Sequence, residues 1–174
     1  MLRAFYFATQ NHAKVVNMSF DFRTYSTELA KATQYSTSKG TILVASVGND
    51  GQQVNVYPAS LSDVMGIAST TNNDTLSSFS NYGHPHVWVG APGEGVITTY
   101  PYETYAAGWG TSFSAPFVSG TAALLRSISS DINEASASRA ISHAKYVSPQ
   151  LGYGRFDVYR AATALCQATN CNLK

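Results

Sequence analysis

The chain has 174 residues, of which 44% are hydrophobic and only 12% are charged, and its formal net charge is +1. These values exclude an intrinsically disordered chain and give no electrostatic reason to expect a nucleic acid or a membrane surface as partner. The length predicts one domain with a real core. Low charge and 11 tyrosines favour an extracellular protein, but residues 1–8 do not form a signal peptide, so the localisation is left open.

The first quarter of the chain predicts a strand–helix–strand unit. Residues 3–12 repeat apolar side chains at helical intervals, and residues 15–20 form a mostly apolar run typical of a buried strand. Residues 26–39 begin with a Ser-Thr-Glu capping pattern and end at Gly40, which predicts a second helix. A second apolar run follows at 41–46. Because such crossovers are right-handed and join parallel strands, the unit predicts a parallel sheet.

The segment 108–126 (GWGTSFSAPFVSGTAALLR) contains no charged residue before Arg126, yet glycine and proline interrupt it too often for a membrane span. It predicts a turn that leads into a buried helix, with Thr111 or Ser112 as the N-cap. Pro116 has no N–H, so the carbonyl of Ser112 loses its helical partner. Unpaired N–H groups at a helix start favour negative charge, which suits an attacking serine. The alternative is a capping Ser-Thr pair before a core helix.

The C-terminal part predicts two further helices and a short loop between cysteines. Asp131–Glu134 precede a helix that ends near Ser142, and residues 161–165 belong to a last helix. Cys166 and Cys171 are close enough in sequence to form a disulfide across the tail. No group of His, Cys or Asp has the spacing of zinc ligands.

The sequence Gly-Thr-Ser-Phe-Ser-Ala-Pro at 110–116, followed by Val-Ser-Gly at 118–120, resembles the nucleophile motif of the subtilisin-like serine proteases, or subtilases. The resemblance implies that Ser112 is the nucleophile and that Thr111 lies beside the oxyanion site. Phe117 stands where many members of the family carry a histidine.

The segment 47–51 (VGNDG) has the composition of a turn and also resembles the oxyanion-hole segment of subtilases, which makes Asn49 the amide donor. The resemblance further implies that a peptide substrate lies between two short segments, here called the groove. One wall is formed by Ser19, Phe20 and Asp21, and the other by Ser46, Val47 and Gly48. Asp21 occupies a position where many subtilases have glycine.

Further motifs of the family follow in order at 57–59 (YPA), 79–83 (FSNYG), 91–93 (APG) and 152–158 (GYGRFDV). The resemblance therefore implies an α/β fold: a doubly wound parallel sheet in three layers, truncated at its N-terminus. Residues 1–165 would form a partial catalytic domain and residues 166–174 a C-terminal tail. No cofactor or metal is expected; the family resemblance leaves room only for a structural calcium ion held by backbone oxygens near Tyr57–Ala59.

The family's upstream segments that supply the catalytic aspartate and histidine, D-[ST]-G and H-G-T-x-V-A-G, are absent. None of the four histidines, His12, His84, His86 and His143, matches the position of the base. The expected function is a serine endopeptidase of polypeptides that is weak or inactive as an isolated chain, with an exposed sheet edge open to a missing N-terminal segment or to self-association. The alternatives are a non-catalytic remnant that binds peptides or a partner chain, and an unrelated α/β hydrolase or nucleotide-binding domain.

Overall fold

The computed structural model describes residues 1–83 and 85–171. The helices in this part are α1 (Leu2–Gln10), α2 (Thr27–Ser38), α3 (Thr111–Ile128), α4 (Glu134–Ile141) and α5 (Val158–Thr169), with a 3₁₀ turn at Pro149–Leu151. The strands are β1 (Val15–Met18), β2 (Ile42–Ser46), β3 (Met65–Thr70), β4 (Val89–Pro92), β5 (Val96–Tyr100) and β6 (Thr104–Gly108).

Four parallel strands form one sheet in the order β1–β2–β3–β4. Val15 lies opposite Ile42 at the start of this sheet, so β1 and β2 run side by side with α2 as their connection. The predicted parallel sheet is confirmed. Strands β5 and β6 form a separate antiparallel hairpin that was not predicted.

The sheet separates two hydrophobic cores. Successive side chains of a strand point to opposite faces, and in β2 Ile42 and Val44 belong to one core whereas Leu43 and Ala45 belong to the other. Helices α3, α4 and α5 contribute to the first core, and α1 and α2 contribute to the second. The three layers of a doubly wound α/β fold are therefore present.

The start of α2 follows the sequence prediction, whereas the start of α3 does not. Ser26 caps α2, since its Oγ accepts a hydrogen bond from the Leu29 N–H at 3.2 Å. The N-cap of α3 is Gly110, with no side-chain cap, so the prediction of Thr111 or Ser112 as cap is wrong. The reason is that the N–H and hydroxyl of Thr111 both donate to Asn49.

At the other end of the chain, α5 continues to Thr169, past the suggested boundary at residue 165. Cys166 and Cys171 form a disulfide that joins the last turn of α5 to the residue following it.

One side of the sheet and one side of α3 are open. Strand β1 ends the sheet, so within the described residues one of its edges has no strand beside it. The uncovered side of α3, here called the outer face, consists of exposed residues that are apolar or small: Pro116, Phe117, Gly120, Ala123 and Leu124. Among the described residues, no helix combines the length and apolarity required to cross a membrane.

Candidate functional site

Ser112 lies in the first turn of α3, next to the point where the chain leaves β1. Because Pro116 cannot donate to it, the Ser112 carbonyl needs another partner, and Ser19 Oγ donates to it at 2.9 Å. Ser112 Oγ in turn donates to the Ser19 carbonyl at the longer distance of 3.4 Å. Two contacts therefore join the start of α3 to the residue after β1.

Asn17 extends this connection along α3. Its amide nitrogen donates to Ser19 Oγ at 2.9 Å, and its amide oxygen accepts from Ser119 Oγ, also at 2.9 Å. Ser119 lies two turns further along the helix than Ser112, so Asn17 and Ser19 together hold α3 to the carboxyl end of β1.

The Asn49 side chain is fixed by the residue that precedes Ser112. Its Oδ1 accepts hydrogen bonds from the Thr111 N–H at 2.9 Å and from Thr111 Oγ1 at 3.0 Å. A backbone N–H can only donate, so the amide oxygen must face Thr111. This orientation leaves the amide nitrogen of Asn49 able to donate elsewhere.

Asn81 organises the turn that carries Asn49, a role that the sequence analysis missed. This buried residue donates from Nδ2 to the Val47 carbonyl at 2.9 Å and to the Asp50 carboxylate at 3.0 Å. Its Oδ1 accepts from the N–H groups of Asp50 and Gln52. The only signal in the sequence was its place in the FSNYG segment, which gives no indication that the side chain reaches another turn.

The two predicted walls of the groove face each other. Gly48 has a φ of +90°, a conformation that favours glycine, and a Cβ there would lie 2.6 Å from Asn81 Nδ2 and 3.5 Å from Asp21 Oδ2. The Asp21 carboxylate therefore reaches across toward Gly48.

The remaining predicted groove residues differ in exposure. The side chains of Ser46 and Val47 are buried, and Val47 packs into the core on the side of α1 and α2, so neither side chain reaches a ligand in the groove. Phe20 is partly buried against the same core, and its ring lies 5.8 Å from that of Phe22.

Charge at the groove is unevenly compensated. Asp50 forms an ion pair with Arg23 at 2.7 Å. The hydrogen bond from Asn81 and, to a smaller extent, the positive charge of Arg23 lower the pKa of Asp50. Asp21 has no ion-pair partner in the described part of the chain.

The three described histidines lie away from Ser112. His12 lines a cleft with Lys39 and Thr41, near the amino ends of β1 and β2. The carbonyl of His86 lies against Gly66 at the start of β3.

His143 shares a cleft with Ser129, the residue after α3. Ser112 is at the opposite end of that helix, roughly 25 Å away at 1.5 Å per residue. The structure therefore brings none of the described histidines to Ser112, and His84 lies outside the described residues.

The segment Tyr57–Ala59, near which the resemblance suggests a calcium ion, has no cluster of ligating side chains in the described part of the chain. Within the described residues, no group of three or more His, Cys, Asp or Glu is arranged to hold a metal ion. In the segment Tyr57–Ala59, the carbonyls of Tyr57 and Pro58 accept hydrogen bonds from the N–H groups of Phe22 and Leu61.

Comparison with known proteins gives the family to which this doubly wound α/β fold belongs. The Subtilase family matches residues 1–158. The chain belongs to this family of serine endopeptidases, whose substrates are polypeptides. The interpretation as an unrelated α/β hydrolase or nucleotide-binding domain is therefore wrong.

Two relatives illustrate the match. Thermitase from Thermoactinomyces vulgaris is 42% identical over 121 residues, which are 70% of this chain and 43% of thermitase. The thermophilic serine proteinase of Bacillus sp. (strain AK1) is 35% identical over 166 residues, which are 92% of this chain and 40% of that protein. The chain thus spans about two fifths of the length of these curated relatives.

Solved structures show the same fold. The self-cleaved protease domain of PatA is 26% identical with a TM-score of 0.87, and the match covers 99% of this chain and 68% of that domain. The prenylagaramide maturation protease PagA is 27% identical with a TM-score of 0.85, covering 94% of this chain and 66% of PagA.

Proposed function

We propose that this chain carries the nucleophile and oxyanion hole of a serine endopeptidase, with Ser112 attacking the peptide carbonyl. The observation that carries the proposal is the fixed orientation of Asn49, whose amide oxygen is held by Thr111, the residue before Ser112, which leaves its amide nitrogen able to donate to a substrate. The Ser112 N–H, in the first turn of α3, is the second donor. Removal of one such donor typically costs roughly 10²–10³ in turnover.

A substrate peptide would occupy the groove, with its backbone along Ser19–Asp21 on one side and the backbone of Ser46–Gly48 on the other. Thr111, also expected at the substrate, contributes by holding Asn49 in place. We assign these roles to residues 1–165 as a partial catalytic domain, and residues 166–174 to its C-terminal tail.

The hydroxyl of Ser112 needs a general base, because an unassisted serine is a poor nucleophile. The described histidines are remote from it, so we propose that a separate polypeptide segment supplies the base and the aspartate. The open edge of β1 and the outer face of α3 support this, since the first offers unpaired backbone and the second offers apolar surface on the helix that carries Ser112. Self-association through the same surface would compete with that segment.

The second candidate function is a non-catalytic protease remnant that binds peptides or a partner chain. Asp21 favours it, because its carboxylate extends toward Gly48 and narrows the groove in which a substrate would lie. Both candidates use the same groove and differ only in whether Ser112 reacts.

A fluorophosphonate probe, which labels activated serines, distinguishes them. We expect the chain alone to label very slowly. A site without its base loses on the order of 10⁶ in rate relative to the intact enzyme, and it remains roughly 10³–10⁴ faster than the uncatalysed reaction in water. A mixture with a segment containing the D-[ST]-G and H-G-T elements should label readily. Ser112→Ala should abolish labelling, whereas Ser130→Ala, at an exposed serine after α3, should not.

Labelling only in the mixture supports the endopeptidase. Absence of labelling in a mixture whose two parts demonstrably bind each other favours the remnant. Rapid labelling of the chain alone, abolished by Ser112→Ala, would contradict the separate base and assign that role to one of the chain's own histidines.

A further inference from the structure

The groove has one carboxylate without an ion-pair partner, that of Asp21, and it lies close to the backbone of Gly48. Asp21 Oδ2 lies 3.5 Å from the point where a Cβ of Gly48 would be, so a negatively charged atom faces a residue that has no side chain. Both residues are on the proposed walls of the groove. A bound peptide at this place would therefore meet a carboxylate rather than an apolar wall.

The direction of Asp21 follows from its neighbours. Phe20 and Phe22, on either side of it in sequence, contact each other with ring centroids 5.8 Å apart. Phe20 packs against the core on the side of α1 and α2, whereas the Asp21 carboxylate lies toward Gly48. The N–H of Phe22 is bonded to the Tyr57 carbonyl at 2.8 Å, which fixes the segment.

The charge of Asp21 is not neutralised by the groups around it. The nearest cationic side chain by sequence, Arg23, is engaged with Asp50 at 2.7 Å, and Asn81 also donates to Asp50. Two carboxylates and one guanidinium thus leave one net negative charge at the groove, and the free carboxylate is that of Asp21.

We propose that Asp21 is a specificity residue that makes the groove prefer peptides with a lysine or arginine side chain at the position beside the Asp21 carboxylate. This inference rests on the proposed function of the groove and adds its substrate class. Ammonium and guanidinium groups carry the charge that pairs with an exposed carboxylate. Because an exposed ion pair contributes little free energy, the expected gain in affinity is roughly two- to fivefold.

The test is a peptide-binding experiment that does not depend on catalysis. Hexapeptides of alanine and glycine carry a single lysine, moved through each position, and a matched set carries norleucine, which has the same four-carbon chain without the charge. Binding is measured by fluorescence anisotropy in a Ser112→Ala background, so that no peptide is cleaved. Asp21→Asn removes the charge at nearly constant shape, and Asp131→Asn is the matched control at an exposed carboxylate beyond α3.

We expect one lysine position to bind roughly two- to fivefold tighter than its norleucine partner, with the preference lost in Asp21→Asn, kept in Asp131→Asn, and reduced at high salt. Equal binding of lysine and norleucine peptides, or a preference that survives Asp21→Asn, would overturn the proposal while leaving the groove intact. Failure of every peptide to bind would overturn the groove itself, and the preference with it.

Discussion

The two long sides of α3 differ in what covers them. On the inner side Ala115, Val118, Ala122 and Leu125 are fully buried against the sheet and the other helices. On the outer face Phe117 and Leu124 expose 42% and 44% of their surface. Both sides are apolar, so composition does not distinguish them. The two sides differ in packing: within the described residues the sheet and the other helices cover the inner side, and no element covers the outer face. A helix can therefore be apolar all round while only half of its surface is packed.

The neighbouring leucines 124 and 125 test this difference most strongly. Leu125→Ala should lower the free energy of unfolding by about 2–5 kcal/mol, because it removes a fully buried side chain and leaves a cavity. Leu124→Ala should change it by less than about 0.5 kcal/mol, since half of its side chain is already in water. Urea unfolding at neutral pH measures both.

Protein concentration makes the same experiment sharper. If the loss caused by Leu124→Ala grows with the concentration of the chain, the outer face is buried between copies, because association couples stability to concentration. Equal losses for the two variants at every concentration would contradict the distinction between the two sides.

The strands and helices of the fold were predictable from the sequence to a large extent. The apolar runs at 15–20 and 41–46 gave β1 and β2, and the capping pattern at Ser26 gave the start of α2. These features depend on local periodicity and on hydrogen bonds within a few residues, which a sequence carries directly. Pro116 also allowed the free carbonyl of Ser112 to be predicted, although not its partner.

The arrangement at the site was less predictable because its bonds join residues far apart in sequence. Thr111 donates to Asn49 instead of capping its helix, which overturned the predicted cap. The partner of the Ser112 carbonyl, Ser19, is 93 residues away, and Asn81 reaches the turn that precedes Gln52. Only the family resemblance indicated that Ser19, Asn49 and Ser112 belong to one site, and their catalytic and binding roles stay predictions.

A middle-sized effect is expected where the start of α3 is joined to β1. Ser19→Ala removes the hydroxyl that donates to the Ser112 carbonyl and accepts from Asn17, and it should cost about 1 kcal/mol of unfolding free energy. Ser127→Ala is the control on the same helix, because its exposed hydroxyl only donates to the Leu124 carbonyl. Urea unfolding compares the two. If Ser19→Ala costs no more than Ser127→Ala, the contact does not hold the start of α3.

The smallest predicted effect concerns the carboxylates of Asp63 and Asp50. Like the two sides of α3, they differ in burial. Asp63 is about half buried, and this burial raises its pKa, although Thr33 and Thr37 donate to it at 3.2 and 3.4 Å. Asp50 is at the open groove, and the hydrogen bond from Asn81 lowers its pKa. Burial also raises the pKa of Glu134, with a contribution from the charge of Asp63.

The two shifts predict opposite pH dependences. A raised pKa means that folded Asp63 takes up its proton at a higher pH than the unfolded chain does, so stability rises as the pH falls from 7 through that pKa toward the ordinary value of about 4. A lowered pKa means that the contribution of Asp50 to stability is complete above about pH 4 and is lost only at lower pH.

Asp63→Asn should therefore flatten the rise in stability on mild acidification, leaving the part due to Glu134. Asp50→Asn should cost stability at neutral pH and approach the unchanged chain only as the pH falls below about 4 and through the lowered pKa of Asp50. Urea unfolding across this pH range measures both variants, and an unchanged slope in Asp63→Asn would show that burial of this carboxylate does not control the pH response.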